Sequence, residues 1–229
     1  SLSGATGSGL SNYTIAYVNG GLTITPKALT ITGGTSSAVY NGGAQTNGFT
    51  TDGLVASDTV TAVDGLGGGT NAGSYADSLS NAVGSGLSNY AISYVNGGLS
   101  ITPKALNVTY TANAASSIYG DGPTGLGGSY LASGLIGGDT LAGSANWTTT
   151  ATSASGVGSY AITGSGLSAS GNYVVTAVQA VGNATALTVT PRALNINYTA
   201  NAAGSIYGDT PTGLGGSYLA SNLVNGDTL

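Results

Sequence analysis

The chain has 229 residues, a formal net charge of −5, and no Cys, Met or His. Its three scattered cations cannot neutralise a run of phosphates, which excludes nucleic acid as a partner. No disulfide can form, all eight acidic residues are Asp, and the side chains of the usual triads and zinc sites are missing.

Helices are not expected, because Gly is 41 of 229 and β-branched residues abound. In chain order, YTIAYV-NG-GLTIT predicts a hairpin in which Asn19-Gly20 supplies a type I′ turn. Pro26 follows, and Ala28–Thr32 has apolar residues two apart. Further strands are expected at Ala38–Tyr40, Asn47–Thr51, Thr59–Val63, Gly73–Leu79, Tyr90–Val95 and Gly98–Thr102. Asn96-Gly97 repeats the hairpin signal between the last two. Leu106 with Val108, and Leu194 with Ile196, repeat the alternation that follows Pro26.

The chain is repetitive. Residues 1–26 and 78–103 are identical at 21 of 26 positions, and residues 103–141 and 191–229 at 31 of 39. The expected organisation is a C-terminal part of a repeat over 1–25, whole repeats over 26–102 and 103–190, and an N-terminal part over 191–229. Units of this size are whole small domains, larger than solenoid motifs. Seven short strands in each suggest a two-sheet antiparallel β-sandwich of immunoglobulin-like kind, strung in tandem as an elongated rod. Pro26, Pro103 and Pro191 fall at the joints. Each fixes φ and keeps its predecessor extended, so one repeat passes into the next as a stiff joint.

Two motifs read as turn chemistry. Asn71-Ala72-Gly73-Ser74-Tyr75 and Gly156-Val157-Gly158-Ser159-Tyr160 resemble a tyrosine corner, with Tyr75 and Tyr160 tying back to nearby backbone. Asp58, Asp139 and Asp227 share one position, in ASDTV, GGDTL and NGDTL, where a short Asp bonds its own backbone two residues on.

The ordered set of motifs resembles the MBG-type immunoglobulin-like tandem repeats of large bacterial secreted and surface adhesins, often filamentous-haemagglutinin-like. It comprises ALTIT, YNG or YGD, GLVxxDTV or GLIGGDTL, GxGSYAI, GLSxxxNY and LTVTP-[KR]-AL. The resemblance covers nearly all of the chain. It implies a sandwich fold, an extracellular or cell-surface location and a stalk or fibre role, and it brings no catalytic residues. One repeat departs from the pattern: Val39-Tyr40-Asn41-Gly42 stands where Ile118-Tyr119-Gly120-Asp121 stands in the next.

The expected function is therefore a non-catalytic stalk segment of a long adhesin, with no cofactor. A self-associating matrix or biofilm filament is the alternative, and a glycan- or ligand-binding module the second. The expected partners are the rest of a long chain, homotypic contacts and a receptor bound elsewhere. Calcium is weighed at Asp121, Asp139, Asp209 and Asp227, against the turn reading of the same residues; Ca²⁺ needs about 6–8 oxygens. Asn-x-Thr sequons occur at Asn12, Asn107, Asn146, Asn183 and Asn197. Trp147 and Phe49, each the sole residue of its type, are expected as core or loop anchors.

Overall fold

A computed structural model describes residues 2–55 and 57–229. Ser1, in the 1–25 segment, and Ala56, inside the ASDTV motif, lie outside the described residues. The chain is all-β and divides into two compact units: residues 1–38 with 44–101, and residues 39–43 with 102–229.

The strands from the first repeat are β1 (Lys27–Gly33), β2 (Thr35–Val39), β3 (Gln45–Thr46), β4 (Phe49–Asp52) and β5 (Thr59–Asp64), then β6 (Gly68–Gly69), β7 (Gly73–Ala76), β8 (Ser80–Ser85), β9 (Tyr90–Val95) and β10 (Gly98–Thr102). They form several small sheets, ordered β4-β1-β9, β2-β10-β7, β3-β6 and β5-β8. Strand β1 pairs antiparallel with β4 and parallel with β9. In that parallel register Leu29 faces Ile92 and Ile31 faces Tyr94. Leu29 and Ile31 are fully buried, in a core shared with Leu79 and Tyr90 and closed by Phe49, Val60, Val63 and Ala82. Phe49 is thus a core anchor.

The second unit contains β11 (Lys104–Ala112), β12 (Ala115–Ile118), β13 (Gly128–Ser133), β14 (Ala142–Thr149) and β15 (Gly158–Tyr160). It continues with β16 (Ile162–Ser168), β17 (Tyr173–Gln179), β18 (Leu187–Thr190), β19 (Asn195–Ala200) and β20 (Gly216–Ser221). Its central strand follows the same rule: β11 is flanked by β13 antiparallel and β17 parallel. Leu106, Val108 and Tyr110, spaced by two, are buried. Strand β18 pairs parallel with β12 and antiparallel with β15. Trp147 packs on the Ile162–Leu187 core, edge-to-face with Tyr110 at 5.8 Å between ring centroids.

The sheets are therefore mixed. The antiparallel expectation misses the parallel pairs because they join strands from opposite ends of a repeat, which local alternation does not reveal. The Asn-Gly hairpins are also corrected. Strand β9 lies in the β4-β1-β9 sheet and β10 beside β7, so Asn96-Gly97 is a crossing between sheets. The Asn96 side-chain oxygen accepts from Leu79 N–H at 2.8 Å. A Cβ on Gly97 would stand 2.2 Å from the Gly34 carbonyl oxygen, so no side chain fits. Residues 13–25 carry almost the same letters but form no strand, and Tyr13, Ile15, Val18, Leu22 and Ile24 are exposed.

The crossing is fixed by Asp77, which is 5% exposed. Its carboxylate accepts from Asn47 Nδ2 at 2.8 Å, Gly67 N–H at 2.7 Å and Gly97 N–H at 3.1 Å. Asn47, equally buried, also donates to the Gly34 carbonyl and accepts from the Ser36 hydroxyl. Burial pushes the Asp77 pKa up, but the donors from Gly67, Asn47 and Gly97 outweigh it and hold it below the ordinary carboxylate value. The second unit uses a neutral buried side chain instead: Asn183 bridges Ala112 N–H and the Tyr110 carbonyl. Burial also closes the Asn183 sequon to a glycan.

Two outcomes follow. Leu106→Ala costs about 2–5 kcal/mol in urea unfolding, whereas Leu131→Ala, on an exposed face, changes stability by less than about 0.5 kcal/mol. Because the Asp77 pKa is lowered on folding, its contribution is complete above about pH 4 and drains away as pH falls through the lowered value. Asp77→Ala costs on the order of 3 kcal/mol at pH 7, since it strands buried donors, and flattens the acid dependence of stability.

Candidate functional site

The polar chemistry of the chain concentrates at the Asp of each DT motif. In all three copies the Asp backbone N–H closes a turn onto the carbonyl three residues earlier: Asp58 on Val55, Asp139 on Ile136, Asp227 on Val224. The Asp58 and Asp139 side chains accept from tyrosine hydroxyls. Tyr90 donates to Asp58 at 2.7 Å, and Tyr173 donates to Asp139. The same hydroxyls accept from Val55 N–H and Ile136 N–H, both at 2.9 Å. A phenol that gives one hydrogen bond and takes another thus locks the turn to the first residue of β9 or β17.

In the second unit a further tyrosine completes the clamp. Tyr40, in the 39–43 segment that folds with that unit, donates to the same Asp139 oxygen at 2.9 Å. Its ring meets Tyr173 edge-on, with centroids 5.4 Å apart at 79°. Its N–H bonds the Thr102 carbonyl. Two residues on, Gly42 (φ +79°) lies against Ile136; a Cβ there would come within 2.6 Å of Ile136 Cγ2.

The Tyr119 turn has the same form. Tyr119 N–H bonds the Thr190 carbonyl, and Tyr119 lines one hollow with Arg192, Leu223, Val224 and Asp227. Gly120 (φ +90°) lies as close to Val224 as Gly42 does to Ile136. Arg192 Nε donates to the Tyr119 carbonyl at 2.6 Å, and its guanidinium pairs with Asp121. Two glycines at different places in the motif, in Tyr-Asn-Gly and Tyr-Gly-Asp, therefore make the same contact.

The hydrogen bond to Asp139, then burial, raises the Tyr40 pKa; burial, then Asp139, raises that of Tyr173. Burial leads for Tyr90, with Asp58 adding to it and the Val55 N–H opposing. None of this generates a nucleophile at neutral pH, because both partners hold the phenols protonated.

The remaining candidate residues lie elsewhere. Pro103 alone separates β10 from β11; Pro26 directly precedes β1, and Pro191 directly follows β18. Tyr75 donates to the Asn71 carbonyl at 2.8 Å and Tyr160 to the Gly156 carbonyl at 2.7 Å, each four residues back. Of the residues weighed for calcium, Asp139 takes two tyrosine hydroxyls and Asp121 an arginine. Asp209 closes a turn onto Ile206, as Asp227 does onto Val224. Among the described residues no three Asp side chains gather as metal ligands would. Tyr40, Tyr90 and Tyr173 were not singled out by sequence reasoning. The signal was available in the near-constant offset from each Asp to the tyrosine of the following Asn-Tyr pair, 32 and 34 residues.

Residues 108–181 match the family model of the MBG domain, YGX type, about a third of the chain. That segment is similar to the MBG domain, and the letters Tyr119-Gly120-Asp121 lie inside it. No curated protein matches the chain, and no solved structure does. Among the described residues no helix is long and apolar enough to cross a membrane.

Since the phenol pKa values are raised on folding, the clamps stabilise fully below about pH 10 and weaken as pH rises through the raised values. Tyr40→Phe removes one of these phenols, so stability falls less steeply with pH above 10, as read by urea midpoints across the alkaline range.

Proposed function

We propose that the chain is a non-catalytic structural segment of a long extracellular bacterial adhesin, built of tandem immunoglobulin-like repeats and supplying reach and stiffness. The observation that carries this reading is Tyr40. It belongs to the 26–102 repeat by sequence and is bound by Asp139 and Tyr173 of the next. A single proline between β10 and β11 supports it, since so short a connection leaves little slack. So does the near-identity of the copies, because an array adds length by repetition where catalysis needs one site. MBG repeats belong to large surface proteins, which favours an extracellular place for this one.

Small-angle scattering at low concentration tests the reading. A strut of 229 residues gives a radius of gyration well above the roughly 17 Å of a compact globule of that length. Pro103→Gly together with Tyr40→Ala broadens the distance distribution. A value near 17 Å for the unaltered chain overturns the proposal.

A further inference from the structure

Three Asn-Gly pairs lie in the two whole repeats, at Asn41, Asn47 and Asn96. Two of them are tied down. Asn47 is buried, and its side chain bonds Ser36, Gly34 and Asp77. Asn96 accepts from Leu79 N–H, and the Gly97 N–H that follows it donates to Asp77. Asn41-Gly42 differs from both. The two residues are exposed and lie outside any strand. Among the described residues Gly42 N–H has no hydrogen-bond partner. The bond on the Asn41 side chain comes from Gly43 N–H, which donates to Oδ1 at 2.9 Å.

A donor two residues on folds the side-chain amide forward over the peptide that joins Asn41 to Gly42. It also draws electron density from Cγ, and glycine has no side chain to shield its own nitrogen. We propose that Asn41 is a self-modification site, where the Gly42 nitrogen attacks Asn41 Cγ and the chain deamidates through a succinimide. The bond from Gly42 N to Cγ forms and the Cγ–Nδ2 bond breaks. Nδ2 leaves as ammonia, carrying the proton from Gly42. Water then opens the ring. Opening at Cγ gives aspartate. Opening at the main-chain carbonyl gives isoaspartate, whose backbone runs through Cγ. Solvent water is the only co-reactant.

The neighbours of the pair give the reaction its effect. Tyr40, just before it, is buried with its hydroxyl on Asp139. Gly42 is seated so closely on Ile136 that a Cβ would come within 2.6 Å of Cγ2. Isoaspartate adds a carbon to the main chain between these two seats, and both cannot be kept. Either product also sets a carboxylate next to a tyrosine whose hydroxyl already serves Asp139. The reaction therefore loosens the Tyr40 turn. The next repeat has Tyr119-Gly120-Asp121 at this place and carries no asparagine there. The inference needs only the 39–43 segment and the unit it folds with, so it stands apart from the stalk reading.

Incubation of the full chain at mildly alkaline pH, followed by peptide mapping with fragmentation that separates isoaspartate from aspartate, tests this. Asn47 and Asn96 react only through an opening of the fold, so Asn41 converts on the order of tenfold faster or more. In urea the three rates converge. An Asn41 that stays an amide while the urea-unfolded chain converts overturns the inference. So does an Asn96 that converts as fast as Asn41 in the folded chain. The effect on the turn is read by hydrogen exchange at Tyr40 N–H, which bonds the Thr102 carbonyl. Exchange there speeds up in the incubated chain and not in Asn41→Gln treated alike, because the longer amide does not cyclise readily. Equal exchange in the two, once Asn41 has converted, overturns the loosening.

Discussion

Each whole repeat is closed by one pairing, that of its first strand with a strand near its far end. Strand β1 is completed by β9 and β11 by β17, parallel in both. The constraint is severe in a chain with few large apolar side chains. Leu29 with Ile31, and Leu106 with Val108, are fully buried only because both edges of their strands are covered. The contrast is internal to the molecule. Strand β19 has nearly the sequence of β11 but pairs only with β20 among the described residues, and Ile196 and Tyr198 stay exposed. Residues 13–18 read almost as β9 does, and they form no strand. Near-identical letters thus take different structures, which is tertiary override of local propensity.

That contrast sets how much of the fold was legible in the sequence. Alternation over Ala28–Thr32, Thr59–Val63 and Tyr90–Val95 marks β1, β5 and β9 with small errors at the ends. Strand β8, over Ser80–Ser85, has Gly and Ser where a strand pattern wants apolar residues, and it was missed. The Asn-Gly signal at 96–97 was read correctly as a change of direction but assigned to the wrong geometry. The residues that decide between a hairpin and a crossing are Asp77 and Gly34, tens of positions away. Asp77 itself stands where Ile162 stands in the next repeat, and both are buried. A charged residue at an apolar position was the visible clue to a buried polar network.

The scarcity of charge takes on meaning in this light. Asp77 accepts backbone and amide donors, Asp58 and Asp139 accept phenols, and Asp121 meets Arg192. Half of the eight acidic residues are thus committed to fixing turns and crossings. Every buried side-chain polar atom among the described residues has a partner. A protein that spends its carboxylates this way has little surface charge left to keep sheet edges apart, and edge protection must come from proline, glycine and short strands.

The sheet crossing at Asn96-Gly97 also bears on chemical ageing. Asparagine followed by glycine is the dipeptide most prone to cyclise, by attack of the glycine nitrogen on the asparagine side-chain carbonyl. Here that nitrogen donates to Asp77 and that carbonyl oxygen accepts from Leu79 N–H. Neither reacting atom is free to turn towards the other. The geometry that sends the chain from one sheet to the next also spares this bond the slow rearrangement that unrestrained Asn-Gly pairs undergo. Such durability belongs to the fold as much as its stability does.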